Sequence, residues 1–174
     1  MILGVFLRSF KTYKGINYIP LSNGQKFVGI VGDNGIGKSS ILEALDCVFN
    51  QKRWNVNITS RRSGLGTTKP YILPIFYINE ATFEGEELTL ARKISDRVKS
   101  FIETDFATAN RPHFNSFKEH LGTQRFEENK LLLPLGINHN HKIDLGTFTS
   151  EDFLSHVFDR TISTFTDINS NETD

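Results

Sequence analysis

Gly32-Asp33-Asn34-Gly35-Ile36-Gly37-Lys38-Ser39 is the most informative motif in this chain. It satisfies the pattern G-x-x-x-x-G-K-[ST], in which each fixed position has a physical role. The glycines permit positive φ and let the backbone approach phosphate oxygens, because no Cβ stands in the way. Successive backbone N–H groups then point inward as an anion nest at the start of a helix, whose dipole also favours negative charge. The stretch therefore predicts a phosphate-binding loop between a strand and a helix.

Two side chains at the end of this loop predict its ligand. Lys38 supplies a mobile positive charge for the β- and γ-phosphates, and Ser39 offers a hydroxyl oxygen to Mg²⁺, which prefers hard oxygen ligands. We therefore expect ATP and Mg²⁺ as cofactors, with Ser39 as the magnesium ligand. The candidate cofactor-binding residues of the loop are Asp33, Asn34, Gly35, Ile36, Gly37, Lys38, Ser39 and Ser40. The alternative is a glycine-rich turn with an incidental lysine, and a chance match in a chain of this size should occur about once in a hundred sequences.

The segments around the loop have the order that a phosphate loop requires. Residues 27–31 (Phe-Val-Gly-Ile-Val) form a short, continuous apolar run, which is typical of a strand buried on both faces of a sheet. From Lys38 onward, apolar residues recur at helical spacing over about three turns. Upstream, the apolar segments Ile2–Leu7 and Ile16–Leu21 flank the turn residues Lys14-Gly15 and predict a β-hairpin.

Further strands and helices are expected along the rest of the chain. After a loop over residues 50–70, Tyr71–Ile78 and Glu87–Ile94 are predicted to be two strands around a turn at Phe83-Glu84-Gly85. Apolar residues from Val98 to Phe106 predict a helix that stops before Pro112, and a shorter helix is expected after that proline. The remaining expectations are strands at Leu131–Leu135 and Ile143–Phe148, a helix from Ser150, and a frayed tail at Asp167–Asp174.

The composition indicates one folded domain. The 174 residues suffice for one core but not for two ordinary domains and a linker, so we expect a single domain over residues 1–174. The 20 basic and 20 acidic side chains cancel, so the overall charge indicates neither a nucleic-acid nor a membrane partner. No apolar run approaches the roughly 20 residues needed to cross a bilayer. We expect a cytoplasmic protein without a signal peptide or membrane anchor, in which the single cysteine, Cys47, is a small core residue.

The loop also has a narrower form that resembles one family. Residues 32–45, Gly-Asp-Asn-Gly-Ile-Gly-Lys-Ser-Ser-Ile-Leu-Glu-Ala-Leu, are similar to the G-x-N-G-x-G-K-S-[ST]-[IL]-[IL]-E-A-[IL] run of the ABC-type ATPases of chromosome maintenance and repair. These are the SMC proteins, the SbcC-type repair ATPases, RecF and the overcoming-lysogenization-defect (OLD) nucleases. Phe10-Lys11-Thr12-Tyr13 resembles the N-F-[KR]-[SN]-[FYH] element at the end of their first strand, with Ser9 in place of asparagine and Thr12 in place of serine.

The resemblance implies a fold, a set of partners and one more site residue. The implied fold is α/β, a P-loop NTPase corresponding to the N-terminal lobe of an ABC-ATPase head, with an antiparallel β-hairpin edge and flanking helices. Pro74–Ile94 resembles the arm hairpin of these heads. In the family the element at Lys11 lies beside the nucleotide, so Lys11 becomes a further candidate for an ATP contact. Heads of this kind dimerise around two ATP molecules and couple hydrolysis to DNA binding, which implies a homodimer of heads, DNA as a partner, and a role in DNA repair, chromosome maintenance or anti-phage defence.

Two motifs that complete such an ATPase are missing from the sequence. A Walker B strand needs an apolar run ending in Asp-Glu, whose carboxylates support Mg²⁺ and activate the attacking water. Ile75–Glu80 is the nearest candidate, but it has Asn79 at the wrong place and follows Pro74. No Leu-Ser-Gly-Gly signature is present, and only Gln124 lies where a Q-loop could be sought. The resemblance thus implies a C-terminal head half or a partner chain that carries Walker B and the signature motif, and efficient ATP hydrolysis only once they are supplied.

Two other functions stay open from the sequence. A non-hydrolysing, nucleotide-gated module that binds protein partners would not need the missing motifs. A P-loop kinase or GTPase is disfavoured, because no Asn-Lys-x-Asp guanine motif and no clear lid arginines follow the loop.

A basic stretch follows the predicted P-loop helix. No acid occurs between Asp46 and Glu80, whereas the interval holds Lys52, Arg53, Arg61, Arg62 and Lys69. Arg61 and Arg62 are candidates for contact with phosphate, of DNA or of the nucleotide, and Trp54 could stack on a base. The equally weighted alternative is a solvated basic loop with Trp54 packed onto the core.

The remaining polar clusters favour ordinary surface roles. His139 and His141 would share one face of a strand near Asp144, but a closed zinc site needs three or four ligands and no cysteine is close, so we expect surface histidines. The acid pairs Glu86-Glu87 and Glu127-Glu128 are adjacent residues that point to different faces, so they are expected to be solvated.

Overall fold

The described residues are built around an antiparallel β-sheet. The computed structural model describes residues 1–23, 28–57, 70–103 and 112–138, which all belong to the first of two compact units, Met1–Ile143 and Asp144–Asp174. Five strands pair in the order β2-β1-β3-β4, and β5 also pairs with β3. The strands are β1 (Ile2–Arg8), β2 (Ile16–Pro20), β3 (Tyr71–Asn79), β4 (Lys130–Pro134) and β5 (Ile137–Asn138). The helices are α1 (Lys38–Asn50), α2 (Gly85–Glu103) and α3 (Pro112–Gly122), and a 3-10 turn spans Glu80–Thr82.

The predicted N-terminal hairpin is confirmed. β1 and β2 pair antiparallel from Arg8↔Ile16 to Gly4↔Pro20. The turn between them contains Gly15 at φ 57°, a left-handed conformation that glycine adopts without steric cost. The other edge of β1 pairs antiparallel with β3, so β1 is a central strand with both of its edges occupied.

Successive side chains of β1 point to opposite faces of the sheet and contribute to a core on each face. Val5 and Leu7 belong to a buried cluster with Ile41 and Ala44 of α1. Phe6 points to the opposite face, where its ring lies 5.2 Å from that of Phe117 in α3. Helices α1 and α3 therefore cover opposite faces of the sheet, as a strand buried on both sides requires.

Helix α1 forms where the spacing of apolar residues predicts it. Its buried face consists of Ser40, Ile41, Ala44 and Cys47, at intervals of one, three and three residues. Cys47 lies in the core cluster under this helix, as expected, and burial raises the pKa of its thiol.

The prediction of a strand at Glu87–Ile94 is wrong, because these residues lie in helix α2. The buried positions of α2 are Ala91, Ser95, Val98 and Ile102, separated by four, three and four residues, which is the helical period. Glu86 and Glu87 stand in the first turn, where the helix dipole favours acids. The predicted turn at Phe83–Gly85 is the entry to this helix, and the arm hairpin expected over Pro74–Ile94 is absent.

The strand expected immediately before the phosphate loop is also absent over its described part. Residues 28–31 have no strand assignment, and the side chain of Val31 is 92% exposed. A strand buried on both faces needs hydrogen-bonded neighbours, and β1 already pairs with β2 and β3. Within the described ranges no strand edge pairs with residues 28–31, so the sheet here is wholly antiparallel rather than a mixed P-loop sheet.

The centre of β3 accommodates a proline because β4 and β5 separate opposite it. Pro74 pairs with Val5 on one side, and its carbonyl oxygen accepts a hydrogen bond from the Leu135 N–H at 3.1 Å on the other. Leu135 and Gly136 connect β4 to β5, so the missing N–H of Pro74 faces a break in the ladder. A Cβ on Gly136 would lie 2.6 Å from the carbonyl oxygen of Ile72, so the backbones approach each other too closely here for a larger residue.

The other elements agree with the predictions in part. The shorter helix after residue 111 is confirmed as α3, and Leu131–Leu135 is confirmed as β4 with bounds shifted by one residue. The helix expected from Val98 is the C-terminal part of α2. The predicted strand at Ile143–Phe148, the helix from Ser150 and the tail at Asp167–Asp174 lie outside the described residues.

Candidate phosphate-loop site

The predicted phosphate loop has a backbone conformation that depends on its glycines. Gly35 has φ 84° and Gly37 has φ 103°, and a residue with a side chain adopts such backbone conformations only with strain. Gly37 is the N-cap of α1. No side chain accepts a hydrogen bond there, and the first turn contains no acid. The first N–H groups of α1 are therefore left without a side-chain acceptor at the positive end of the helix dipole, which is the arrangement that binds anions.

Lys38 lies over the loop that precedes it. Its ammonium group donates hydrogen bonds to the carbonyl oxygens of Gly32 and Asp33, the latter at 2.6 Å. Its charge thus lies against the same turn whose amides start the helix. The arrangement places the Lys38 ammonium group near the first N–H groups of α1, which lack a side-chain acceptor.

The remaining loop residues differ in exposure. Asp33, Asn34, Gly35 and Ile36 are exposed. Ser39 is exposed as well, whereas Ser40 is buried on the core side of α1. Of the two serines, Ser39 is therefore the one whose hydroxyl is accessible to a ligand.

The element that resembles the end of the family's first strand lies directly against the loop. The hydroxyl of Tyr13 donates to the carbonyl oxygen of Gly37 at 3.3 Å. A Cβ on Gly37 would lie 3.1 Å from the side-chain oxygens of both Thr12 and Tyr13. The structure thus brings Lys11–Tyr13 and the loop together, although they are separated by more than twenty residues in sequence.

Lys11 has an unusual backbone and an ion-pair partner on α1. Its φ is 46°, in the left-handed region, and its ammonium group pairs with the carboxylate of Glu43. The Lys11 N–H donates to the carbonyl oxygen of Asn55 at 3.1 Å, and the amide of Asn57 donates to the carbonyl oxygen of Lys11 at 2.6 Å. Both peptide groups of Lys11 are thereby fixed to residues 55–57.

The basic stretch after α1 is described only in part. Lys52 forms an ion pair with Asp46 at 2.6 Å, which lowers the pKa of that carboxyl through the hydrogen bond from Lys52. Trp54 is 6% exposed and its ring lies 5.2 Å from that of Phe10. The hypothesis that Trp54 stacks on a base is therefore wrong, and the alternative of a tryptophan packed onto the core is confirmed. Arg61 and Arg62 lie outside the described residues.

The weak Walker B candidate is at the wrong end of the sheet. β3 runs antiparallel to β1, with Tyr71 opposite Arg8 and Phe76 opposite Ile2, so Asn79-Glu80 lies beyond the start of β1. The phosphate loop contacts the residues that follow the end of β1, which is about 20 Å away for a strand of this length. Asn79 accepts from the Ala81 N–H as the cap of the 3-10 turn, and Glu80 pairs with Arg92 at 3.0 Å. Both residues thus have structural roles.

Gln124 is also remote from the loop. It lines an open cavity of about 750 Å³ with Met1, Leu3 and Tyr77, at the start of β1. Its amide donates to the His120 carbonyl oxygen at 3.3 Å. A Q-loop role would require a place beside the phosphates, so the structure gives Gln124 no such role.

His120 connects α3 to the chain after β2. Its Nε2 lies 3.0 Å from the carbonyl oxygen of Ser22 and 2.6 Å from Oδ1 of Asn23. Because both partners only accept there, Nε2 carries the hydrogen, and Nδ1 accepts from the hydroxyl of Tyr18 at 2.7 Å. Burial lowers the pKa of His120 and raises that of Tyr18.

Metal-binding clusters are missing from the part of the chain that the structure describes. Groups of three or more histidine, cysteine, aspartate or glutamate side chains placed to hold an ion do not occur there. The weak candidates His139, His141 and Asp144 lie outside it. Glu86 and Glu87 are exposed, as expected, and Glu127 forms an ion pair with Lys130.

Three residues of the site were not singled out by sequence reasoning. Tyr13 belonged to the quoted element, but its contact with Gly37 depends on the chain returning to the end of β1. Glu43 was part of the quoted helix motif without an assigned role. Asn57 is polar and lies in an aperiodic segment, and no local pattern marks it as the residue that binds the backbone of Lys11.

Comparisons with known proteins agree with the loop and its surroundings. A family model described as AAA ATPase domain matches residues 1–173. Structural maintenance of chromosomes protein 1B of Mus musculus is 34% identical over 98 residues, which are 52% of this chain and 7% of that protein. The protein of the same name from Homo sapiens is 32% identical over 109 residues, or 58% of this chain and 8% of that protein. No solved structure matches.

The matched segment spans less than a tenth of the length of these relatives. Within the described ranges no helix is both long and apolar enough to cross a membrane. The resemblance to the N-terminal segment of SMC-type ATPase heads is confirmed at the level of the family. With a match over nearly its entire length, this chain belongs to the AAA ATPase domain family.

Proposed function

We propose that this chain binds Mg-ATP through residues 32–40. The observation that carries the proposal is the free N-terminus of α1 behind a glycine-dependent turn, with the Lys38 ammonium group held above it. Triphosphate oxygens would replace the loop carbonyls as acceptors for Lys38 and would receive the first N–H groups of α1. The exposed hydroxyl of Ser39 would serve as the protein ligand of Mg²⁺.

Lys11 is proposed as a second cationic contact of the nucleotide. Its neighbours Thr12 and Tyr13 lie against Gly37, and its own side chain reaches α1 at Glu43. Glu43 is four residues after Ser39 and thus one turn further along the same side of the helix. A lysine in this place can reach either the carboxylate or a phosphate at the helix start.

Hydrolysis is proposed to require a second component. Within the described residues, strand β3, which leads to Asn79-Glu80, ends far from the loop, so the carboxylates that support Mg²⁺ and activate water would come from a C-terminal head half or a partner chain. Exposed apolar side chains on and just before α1 could contact it: Val31, Leu42 and Phe49 are 92%, 63% and 59% exposed. From the resemblance to ABC-type ATPase heads, the completed heads are proposed to dimerise and act on DNA in repair, chromosome maintenance or anti-phage defence, with Arg61 and Arg62 as phosphate contacts.

Removal of the lysine charge tests the binding proposal. We expect Lys38→Ala to weaken Mg-ATP binding at least tenfold in calorimetry, because charge-assisted hydrogen bonds to phosphate are among the stronger polar contacts. Lys52→Ala is the matched control, since Lys52 is an exposed lysine at the other end of the same helix. It should bind as the unaltered chain does. Equal affinity of the Lys38 variant and the control would refute the proposal.

A non-hydrolysing, nucleotide-gated protein-binding module is the second candidate. It is favoured by the position of Asn79-Glu80, which leaves the described residues without an acidic strand end at the loop. Phosphate release distinguishes the two functions when the chain is mixed with a candidate C-terminal half. ATP-dependent association with turnover supports the ATPase, and ATP-dependent association without turnover supports the module.

A further inference from the structure

The Lys11–Glu43 ion pair is the feature of the site that the proposed function leaves unexplained. Glu43 contributes no group to the phosphate loop itself, yet it holds the ammonium group of Lys11, whose neighbours Thr12 and Tyr13 lie against the loop. The side chains of Lys11 and Glu43 are 33% and 48% exposed. A pair so open to solvent is weak, and a stronger anion can displace its carboxylate.

The backbone of Lys11 is fixed independently of this pair. A lysine at φ 46° is sterically disfavoured, and it is retained here because its N–H donates to Asn55 and its carbonyl oxygen accepts from Asn57. Asn57, which supplies one of these bonds, is 6% exposed. The backbone is therefore held in place while the side chain remains free to exchange partners.

The two alternative partners of Lys11 are the carboxylate of Glu43 and the nucleotide phosphates, which would lie at the start of the same helix. Ser39, at that start, is one turn before Glu43 on the same side, about 6 Å along the axis of α1. The side chain of Lys11 spans a similar distance, so it can reach toward the phosphate end without movement of its backbone. Triphosphate, with its higher charge, is the stronger acceptor for the ammonium group.

We propose that Glu43 is a positioning residue that holds Lys11 beside the phosphate loop and competes with the nucleotide phosphates for its ammonium group. This inference rests on the proposed function, and it adds that the carboxylate of Glu43 reduces nucleotide affinity through Lys11. A triphosphate, which offers more anionic oxygens than a diphosphate, displaces the carboxylate more effectively. The ligand that binds Lys11 more strongly also loses more affinity to this competition, so the pair reduces the preference for ATP over ADP.

Mg-ATP and Mg-ADP binding to the full chain tests the competition. In Glu43→Gln the neutral amide no longer competes, and we expect Mg-ATP to bind about two- to fivefold more tightly, the range set by a half-exposed ion pair. Mg-ADP should gain less, because it binds Lys11 more weakly, so the ratio of ATP to ADP affinity should rise. Glu43→Asp retains the charge and should behave like the unaltered chain.

A double-mutant cycle separates competition for Lys11 from a general charge effect. In the Lys11→Gln background, adding Glu43→Gln should change the Mg-ATP affinity by no more than about 1.5-fold, because the Lys11 ammonium group for which carboxylate and phosphate compete is gone. Asp46→Asn is the matched control: it removes the same charge from the same helix, but from a carboxylate paired with Lys52. It should change the affinity less than Glu43→Gln does.

Each outcome has one interpretation. Equal or weaker Mg-ATP binding by Glu43→Gln, or the same gain with and without Lys11, would overturn the role of Glu43 while the proposed function stands. Failure of the unaltered chain to bind Mg-ATP, or full binding by Lys38→Ala, would overturn both. Circular dichroism of every variant should match the unaltered chain, because the substituted side chains are partly exposed.

Discussion

Substitution of Gly136 by alanine should destabilise the protein by separating β5 from the centre of the sheet. The new Cβ would lie 2.6 Å from the carbonyl oxygen of Ile72, 2.8 Å from Cδ1 of Leu73 and 3.1 Å from its Cα. Neither neighbour can yield easily, since Ile72 and Leu73 are 0% and 1% exposed in the central strand β3. The shift must therefore come from the chain that carries Gly136 and Ile137.

The magnitude follows from what β5 would lose. Ile137 is 3% exposed and belongs to the core cluster under α1, and exposing such a side chain costs about 1.5–3 kcal/mol. Weakened pairing of Ile72 with Ile137 and Tyr71 with Asn138 adds about 1 kcal/mol. We expect a total of about 2.5–4 kcal/mol, which for a chain of this size lowers Tm by about 5–15 °C.

Thermal and urea unfolding followed by circular dichroism measure this loss, with Gly122→Ala as the matched control. A Cβ at Gly122 meets only Cγ2 of Ile102 at 3.7 Å, an ordinary contact, so the control should change stability by no more than about 1 kcal/mol in either direction. If Gly136→Ala unfolds within about 1 °C of the unaltered chain, the close approach between Gly136 and β3 does not limit the residue at this position, and the reasoning fails.

Two further predictions concern His120 and the loop glycines. Burial holds the pKa of His120 below its ordinary 6.5, so the unfolded chain binds more protons in the range just below that pH. The contribution of neutral His120 to stability should be complete above about pH 6.5 and should decline as pH falls toward the folded pKa. Urea titrations at several pH values should therefore show a shallower loss of stability with falling pH in His120→Gln than in the unaltered chain. The same loss in both proteins would contradict the assignment. For the loop, Gly37→Ala should weaken Mg-ATP binding more than Gly35→Ala, because both have positive φ but only Gly37 would place a Cβ within 3.1 Å of Thr12 and Tyr13. Calorimetry showing equal losses would mean that this contact has no part in shaping the loop.

Local patterns predicted some elements well because the evidence for them lies within a few residues. The hairpin of β1 and β2 has two apolar runs around a glycine turn, and α1 has apolar residues at helical spacing behind a glycine-rich loop. The prediction of a strand at Glu87–Ile94 is wrong because the apolar residues of this short segment fit a strand as well as a helix. The longer period through Val98 and Ile102 shows which one forms.

The prediction of a strand before the phosphate loop is wrong over residues 28–31 for a different reason. Their apolar, β-branched composition favours a strand, but a strand also needs a hydrogen-bonding neighbour, and the described strands pair with one another instead. Trp54 was undecided in sequence because a tryptophan can stack on a base or fill a core. Its ring contact with Phe10, more than forty residues away, settled this.

The sequence by its local pattern predicted a phosphate-binding loop, because glycines, a lysine and a serine at fixed spacing act through local backbone geometry and charge. Residue types within the loop likewise sufficed to predict the family to which the chain belongs. The tertiary structure decided what surrounds the loop: Tyr13 against Gly37, Glu43 paired with Lys11, and Asn57 bonded to the backbone of Lys11. These contacts join residues 24, 32 and 46 positions apart, and only the folding of the sheet brings them together.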